Sequence, residues 1–319
     1  MTIQSNKLIE KLALLSLVVP LAMGSTGCSL KKIAANQIGN ALAGSGTTFA
    51  SDEDPELVRE AIPFTLKLVE SILEETPNHA RLRTAAAAYF TQYAYGFLQL
   101  EADYIEVEDY EKAEAMRERA KKLFIRGRNH GLTRLELSNP NLRSDLEQTP
   151  REAVQSLGIK LTEPIYWTAA AWGSAITLGK DDPYLIAEIP QMEALIDRAL
   201  ELDPTWNMGA IHNFLITYEM VRQPMGQDPE TESRAHFDKT VEATRGKLLS
   251  PYISLAESVS VQIQDVNEFD SLLETALSID IDEYPDARLV NLLMKKRAEW
   301  LLSQKEELFL LDEGMEFDE

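Results

Sequence analysis

The stretch 163–204 constrains the fold most, because its pattern describes two helices joined by a turn. Asp182 and Pro183 supply an N-cap and a proline at the first helical position, and apolar residues then follow the spacing of one buried helix face. That second helix ends at Asp203, because the residue before Pro204 is pushed away from helical angles. The first helix carries small side chains that let a neighbouring helix approach closely: Ala169, Ala170, Ala171, Gly173, Ser174 and Ala175. The stretch predicts an αα-hairpin.

Similar helix endings occur at 74–77 and 272–280, and a second run of small residues, 85–88, precedes several aromatic residues. Such endings are typical of tetratricopeptide-like helix pairs. Pro77 and Pro204 are not separated by a multiple of the roughly 34-residue unit of that repeat. We therefore predict a degenerate tetratricopeptide-like helix-hairpin array with a central pore or groove. Insertions are expected at 139–150 and 223–229.

Length and composition limit the class of protein. A chain of 319 residues with 45% hydrophobic content can bury a substantial core. Long helix-period segments dominate and no alternating strand pattern appears, so we predict an all-α fold with a single helical-repeat domain at 52–310 and an acidic tail at 311–319. The net charge of −21 excludes nucleic acid as a partner, because the surface would repel phosphates.

The amino terminus has the pattern of an export signal. Lys7 and Lys11 precede an apolar run at 12–23, which is too short to span a bilayer, and small residues then lead to the single cysteine, Cys28. Two interpretations of Cys28 are open, a lipidated residue or a buried thiol, and its position directly after the apolar run favours lipidation. We predict a lipoprotein signal peptide at 1–27 and a lipidated tether at 28–51, with a short helix through Leu42 and a flexible stretch at 44–48.

The sequence contains no recognisable catalytic or metal-binding pattern. The four histidines, His79, His130, His212 and His236, are far apart in sequence and lack the spacing of a zinc site on a helix. No nucleophile motif is present, and one cysteine cannot form a cysteine-rich metal site. The sequence therefore predicts a protein that is not an enzyme and that needs no metal or cofactor.

Two groups of residues are candidates for binding. Cations crowd one helix and its exit in this acidic chain: Arg117, Arg119, Lys121, Lys122, Arg126, Arg128 and Arg134. They form either a solvated face balanced by nearby glutamates or a positive lining for an anionic ligand or acidic partner, for which Arg126 and Arg128 are the candidates. Trp167 and Trp172 are either core residues or part of a ligand groove.

Several dispersed blocks together resemble the T-component family of tripartite ATP-independent periplasmic (TRAP) transporters, the TatT lipoproteins. They are 166–183 (YWTAAAWGSAITLGKDDP), 198–203 (RALELD), 233–237 (SRAHF), 251–259 (PYISLAESV), 269–277 (FxxLLExAL) and 297–302 (RAEWLL). Their agreement in order over most of the chain is more specific than the tetratricopeptide-like endings, which occur in many unrelated scaffolds.

The resemblance implies a lipoprotein that faces the periplasm, anchored through Cys28 to a bacterial membrane, with the outer membrane favoured. It implies a homotrimer with a pore through each protomer, a periplasmic ligand-binding protein as partner, and passage of a hydrophobic or carboxylate small organic ligand. The alternative is an envelope scaffold for protein assembly without ligand transfer.

Overall fold

The computed structural model describes residues 31–44, 46–223 and 228–310, apart from the side chain of Thr47. Within these ranges all regular structure is helical and no strand is present, which confirms the prediction of an all-α single domain. The predicted signal peptide, Cys28 and the acidic tail lie outside the described residues. No helix in the described part has both the length and the apolar composition needed to cross a bilayer.

Three long helices form the first half of the domain. Helix α1 is Pro55–Glu75, and α2 is Ala80–Ala94, which continues without a break through a π-helical turn, Tyr95–Gln99, into Leu100–Ile105. Helix α3 is Tyr110–Glu136. Aspartate side chains cap the first and third of these helices by accepting backbone hydrogen bonds, which satisfies amide groups that have no partner within the helix.

The predicted hairpin is present. Helix α4 is Thr162–Thr177 and α5 is Ile189–Leu202, the two are packed together, and the short helix Pro183–Ile186 lies between them. Asp182 caps this short helix, with its side chain accepting from the amides of the second and third residues that follow. The second helix of the hairpin was predicted to start at that cap, but α5 begins only at Ile189.

Among the described residues, the carboxyl-terminal half adds five α-helices of six or more residues. Helix α6 is Trp206–Tyr218 and α7 is Pro229–Thr244. Helix α8 is Ser250–Leu255, which continues into a second π-helical turn, Ala256–Ser260. Helices α9 and α10 complete the set, at Val266–Ser278 and Arg288–Ser303.

Two expected irregular segments are more ordered than predicted. The loop expected at 139–150 contains the helix Leu142–Gln148, because Leu142 and Leu146 share one face and are both buried. The flexible stretch expected at 44–48 includes part of the helix Gly46–Ala50, whose Phe49 ring meets Tyr89 edge-on at 6.4 Å.

The short helix predicted before that stretch is present, since residues 31–42 are helical. It lies against the body: Lys31 pairs with Glu75 at 2.7 Å, and the hydroxyl of Tyr89 donates to the carbonyl of Leu42 at 2.9 Å.

Helix packing places α3 between α2 and α4. Gly127 faces Ala87 and Gly131 faces Thr168, so the absent side chains allow both neighbouring helices to approach closely. At the other end of the chain, α10 contacts α8 and α9 and also reaches back to α1 and to the helix Gly46–Ala50. Helix α10 therefore meets the first helices, and a cavity lies between the helices.

Candidate functional site

The cavity between the helices, here called the chamber, is open to solvent and has a volume of about 1430 Å³. Eight of the labelled helices line it, namely α1, α2, α3, α4, α6, α7, α8 and α10, together with residues of the connecting segments. Ligand pockets in proteins usually measure roughly 300–1,000 Å³. The chamber can therefore accommodate a small organic molecule with room for it to change position.

The chamber is elongated and follows α2 and its continuation. Its lining includes Arg81, Ala88, Tyr95 and Asp103, which lie on one side of a continuous helix. At a rise of 1.5 Å per residue, the first and last of these are roughly 33 Å apart. The two ends of the chamber can therefore differ in chemistry.

The middle of the chamber carries no charged group on α2 or α4. Small residues on both helices keep it open, among them Ala85, Ala88, Ala170 and Gly173. Its threonine hydroxyls are directed to their own helices: Thr91 donates to the carbonyl of Ala87 at 2.7 Å, and Thr84 and Thr177 form equivalent bonds. Because these bonds occupy the hydroxyl protons, this part of the wall is predominantly apolar toward a ligand.

Three aromatic rings form a cluster on one side of the chamber. The ring centre of Tyr166 is 5.0 Å from that of Trp167 and 4.8 Å from that of Trp206, and all three residues are half-buried. Burial also raises the pKa of the Tyr166 hydroxyl above its usual range. The cluster offers a flat apolar surface of the kind that binds aromatic or aliphatic groups.

Next to this cluster, one end of the chamber is cationic. Arg81 at the start of α2, Arg134 near the end of α3 and Lys160 before α4 all line it, together with Glu163. Burial raises the pKa of Glu163, whereas the charges of Arg81 and Arg134 oppose that rise. Burial likewise lowers the pKa of Arg134. Three cations and one carboxylate give this end a net charge of +2.

The opposite end is organised by Arg297 on α10, whose side chain is only 7% exposed. It pairs with Glu257 and, at 3.1 Å, with Asp103, and its guanidinium lies 4.3 Å from the ring centre of Trp300. Both π-helical turns contribute to this end, through Tyr95 and Glu257. Burial, and next the charge of Glu257, raise the pKa of Tyr95 to about 12.

Three of the four binding residues suggested by the sequence are not among the residues that line the chamber. Arg126 pairs with Glu70 and lies 4.9 Å from the ring centre of Phe90. Arg128 pairs with Glu188 at 2.6 Å and covers the ring of Trp172 at 5.0 Å.

The indole nitrogen of Trp172 donates to the same carboxylate, at 2.7 Å from Glu188. This geometry gives Arg128 and Trp172 a structural part in holding α3, α4 and the start of α5 together. Whether they also bind a ligand or a partner stays a prediction.

Trp167 is the one suggested residue that lines the chamber, and Arg134 is the one member of the predicted cationic group that does so. Sequence reasoning missed Arg81 and Lys160, because they are far apart in the chain and neither belongs to a charge cluster. The sequence offered one signal for them: Arg81 and Lys160 each lie at the start of a long helix.

The histidines do not form a metal site. His212 and His236 are buried and their Nδ1 atoms are 2.7 Å apart, so one ring donates to the other. The described residues contain no group of three or more histidine, cysteine, aspartate or glutamate side chains that could hold a metal ion.

Fold and site together define a class: an all-helical protein whose helices surround a large, elongated chamber with an apolar middle and charged ends. A model of the TRAP transporter T-component family matches residues 51–309. The chain belongs to the TRAP transporter T-component family. It is also similar to an uncharacterized protein of Treponema pallidum (strain Nichols), with 25% identity over 303 residues, which cover 89% of this chain and 94% of the relative.

Proposed function

We propose that the protein is a non-enzymatic auxiliary component of a TRAP-type solute transport system that holds a small organic ligand in its chamber. The observation that carries this proposal is the chamber itself, which is larger than an ordinary small-molecule pocket and has an apolar middle. Membership of the T-component family supports a place in transport.

We further propose that a periplasmic ligand-binding protein docks on this protein and that ligand passes through a pore formed by the chamber. In this proposal the protein faces the periplasm, anchored by a lipid at Cys28 to the outer membrane, and assembles as a homotrimer. Three linked binding surfaces would strengthen attachment to the partner through effective concentration.

The partner is tested by co-elution. The whole chain is mixed with a periplasmic TRAP ligand-binding protein from the same organism and passed over a size-exclusion column. Co-elution is expected, with an unrelated periplasmic binding protein as the control. Failure to co-elute, together with retention of other envelope proteins, would instead favour the scaffold function.

The anchor and the trimer have separate tests. Cells fed a radioactive fatty acid are expected to label the wild-type protein but not the Cys28→Ser variant, and label that persists in the variant would overturn the anchor. Light scattering at micromolar concentration is expected to give three times the monomer mass. A monomer mass alone would contradict the trimer.

A further inference from the structure

The helix at residues 31–42, here called the amino-terminal helix, is packed against the body of the protein. A Cβ atom at Gly39 would lie 2.9 Å from the ring of His79, so the helix backbone runs directly beside the start of α2. Further along, the hydroxyl of Tyr89 donates to the carbonyl of Leu42 at 2.9 Å. The helix therefore follows α2 and does not act as a flexible spacer.

The outer side of this helix is apolar and exposed. Ile33 and Ile38 are 56% and 50% exposed, and Ala34 and Ala41 are exposed as well. At 3.6 residues per turn, these four residues lie along one side of the helix. Gln37 is the only other residue on that side, so no charge interrupts it. The helix thus has one apolar side against the body and a second one that is open to solvent.

The charges around this helix differ from those of the rest of the chain. The segment 29–51 contains no acidic residue, and its only charged residues are Lys31 and Lys32, although the whole chain has a net charge of −21. Acidic residues are frequent from Asp52 onward. A surface with anionic head groups repels an acidic body and attracts a cationic segment. The amino-terminal helix is therefore suited to lie next to such a surface, with the acidic body on its other side.

The proposed anchor is close to this helix in the chain. Only residues 29 and 30 separate Cys28 from Lys31, and a fully extended chain covers this separation in at most about 10 Å. Cys28 lies outside the described residues, so this limit follows from chain length alone. A lipid on Cys28 would hold the start of the helix within that distance of the head groups. Because the helix is packed against α2, the body would be held there too.

We propose that the outer side of the amino-terminal helix, formed by Ile33, Ala34, Ile38 and Ala41, lies on the bilayer surface and holds the body directly against it. The helix lies parallel to the membrane with its two isoleucines among the head groups, as amphipathic interfacial helices do. The inference rests on the proposed anchor at Cys28. It adds a lipid-contact surface and an orientation, in which the start of α2 is on the membrane side of the molecule.

The water layer between bilayer and body tests this contact. Residues 28–319, the form that lipoprotein processing would leave, are coupled through the single cysteine to a maleimide lipid in a supported bilayer. The bilayer consists of phosphatidylethanolamine with a minority of phosphatidylglycerol, and neutron reflectometry measures the thickness of the water layer. A layer thinner than about 10 Å is expected. A flexible tether through residue 51 would instead give a separation of roughly 25 Å.

A double variant tests the outer side of the helix. Ile33→Asp with Ile38→Asp should widen the water layer by about twofold, because the variant loses the apolar contact and is repelled by the anionic surface. Val107→Asp with Tyr110→Asp is the matched control, since both side chains are exposed, lie past the far end of the continuation of α2 and give the same change in charge. The control should leave the layer unchanged. Circular dichroism confirms that each variant is folded.

The outcomes separate this inference from the proposed anchor. A thin water layer that widens in the helix variant but not in the control supports the lipid contact. A wild-type layer of roughly 25 Å, as for a flexible tether, or a layer that the helix variant leaves unchanged would overturn it. Because the lipid is attached chemically, these results do not depend on lipidation in cells, which the fatty-acid label tests separately.

Light scattering without lipid tests a different occupant of the same surface, a second copy of the chain. If the helix variant loses a trimer mass that the control variant keeps, the outer side of the helix is a contact between copies, and the lipid contact is overturned. An equal mass for the two variants supports the lipid contact.

Discussion

Gly131 marks the closest approach of α3 and α4. A Cβ atom at this position would lie 2.1 Å from Oγ1 of Thr168 and 3.2 Å from its Cα, so the backbone of α4 would have to move. Thr168 is fully buried and its hydroxyl donates to the carbonyl of Pro164 at 2.5 Å, which leaves it little freedom to turn away. The absence of a Cβ atom at Gly131 therefore sets the distance between α3 and α4.

Gly131→Ala is expected to lower the free energy of unfolding by about 1–3 kcal/mol, because overpacking outweighs the better helix propensity of alanine. Urea denaturation measures the change. Gly158→Ala is the control, because a Cβ there would meet nothing within 4 Å, and its effect should be near zero. Equal stability of the two variants would contradict the close helix contact.

Arg297 gives a second prediction for a single residue. Arg297→Ala should lower the free energy of unfolding by about 1–3 kcal/mol, because Glu257 loses its partner and Asp103 keeps only Arg117. Lys295→Ala on the same helix is the control, since Lys295 is exposed and its loss should change stability by less than about 0.5 kcal/mol. A loss no larger than that of the control would show that the ion pairs do not stabilise the fold.

Single residues were the hardest level to predict from the sequence. The helix of Arg126 and Arg128 could be recognised, but not which of its faces meets a glutamate of another helix. Those contacts join residues 56 and 60 positions apart, and no local pattern encodes such pairs. The same holds for Arg81 and Arg134, which only the packing of α2, α3 and α4 brings to one end of the chamber.

At the level of elements, the start of α6 departs from ordinary helical geometry. Asn207, Met208 and Gly209 have positive φ angles of 45°, 57° and 74°, and the first two line the chamber. Three successive left-handed residues are costly for side chains other than glycine, by roughly 1–2 kcal/mol each, although asparagine tolerates the region better than most. This turn directs the following helix along the chamber wall.

Gly209→Ala tests the strain in that turn. It should lower the free energy of unfolding by about 1–2 kcal/mol, because alanine disfavours this φ and its Cβ would lie 3.3 Å from Cβ of Ala243. Gly44→Ala is the control, because a Cβ there would make only ordinary contacts at 3.6 Å. Thermal unfolding gives both values, and a Gly209→Ala variant as stable as the control would show that the turn is not strained.

Elements with local signals were predicted well, and the others were not. The hairpin of α4 and α5 could be predicted because a cap, prolines and an apolar period all lie within it. The two π-helical turns could not, because the residues at 95–99 and 256–260 also suit an α-helix. The left-handed turn was missed for a similar reason, since Met208 gives no sign of it.

The whole molecule should respond to acid through its buried histidines. Burial lowers the pKa of His130, His212 and His236 to about 4 in each case, against an ordinary value near 6.5. Between about pH 4 and pH 6.5, the folded state therefore binds fewer protons than the unfolded state. The free energy of unfolding falls as the pH drops through this range. Each histidine contributes about 1.4 kcal/mol per pH unit there.

Urea unfolding at pH 7 and pH 5 measures this effect. His130→Gln should reduce the change in the free energy of unfolding between the two pH values by the contribution of one of the three histidines. The His130 ring accepts a hydrogen bond from Arg83 at 2.9 Å and stays neutral in the folded protein. If the free energy of unfolding of the variant depends on pH as strongly as that of the wild-type protein, the lowered pKa of His130 would be contradicted.

The architecture of the whole molecule was predicted as far as an all-helical domain. A central pore or groove was also predicted, but the contacts that bring α10 back to the earlier helices were not, because they join distant parts of the chain. Lys296 meets Glu101 and Arg297 meets Asp103, which are 195 and 194 positions away, respectively.

That closure has a consequence for how the protein forms. Contacts of such long sequence separation require a large loop to close, and they slow folding compared with the local pairing of α2 with α3. A folding intermediate in which α10 has not yet docked cannot enclose the chamber. The cavity is therefore completed late in folding, once α10 has closed against the earlier helices.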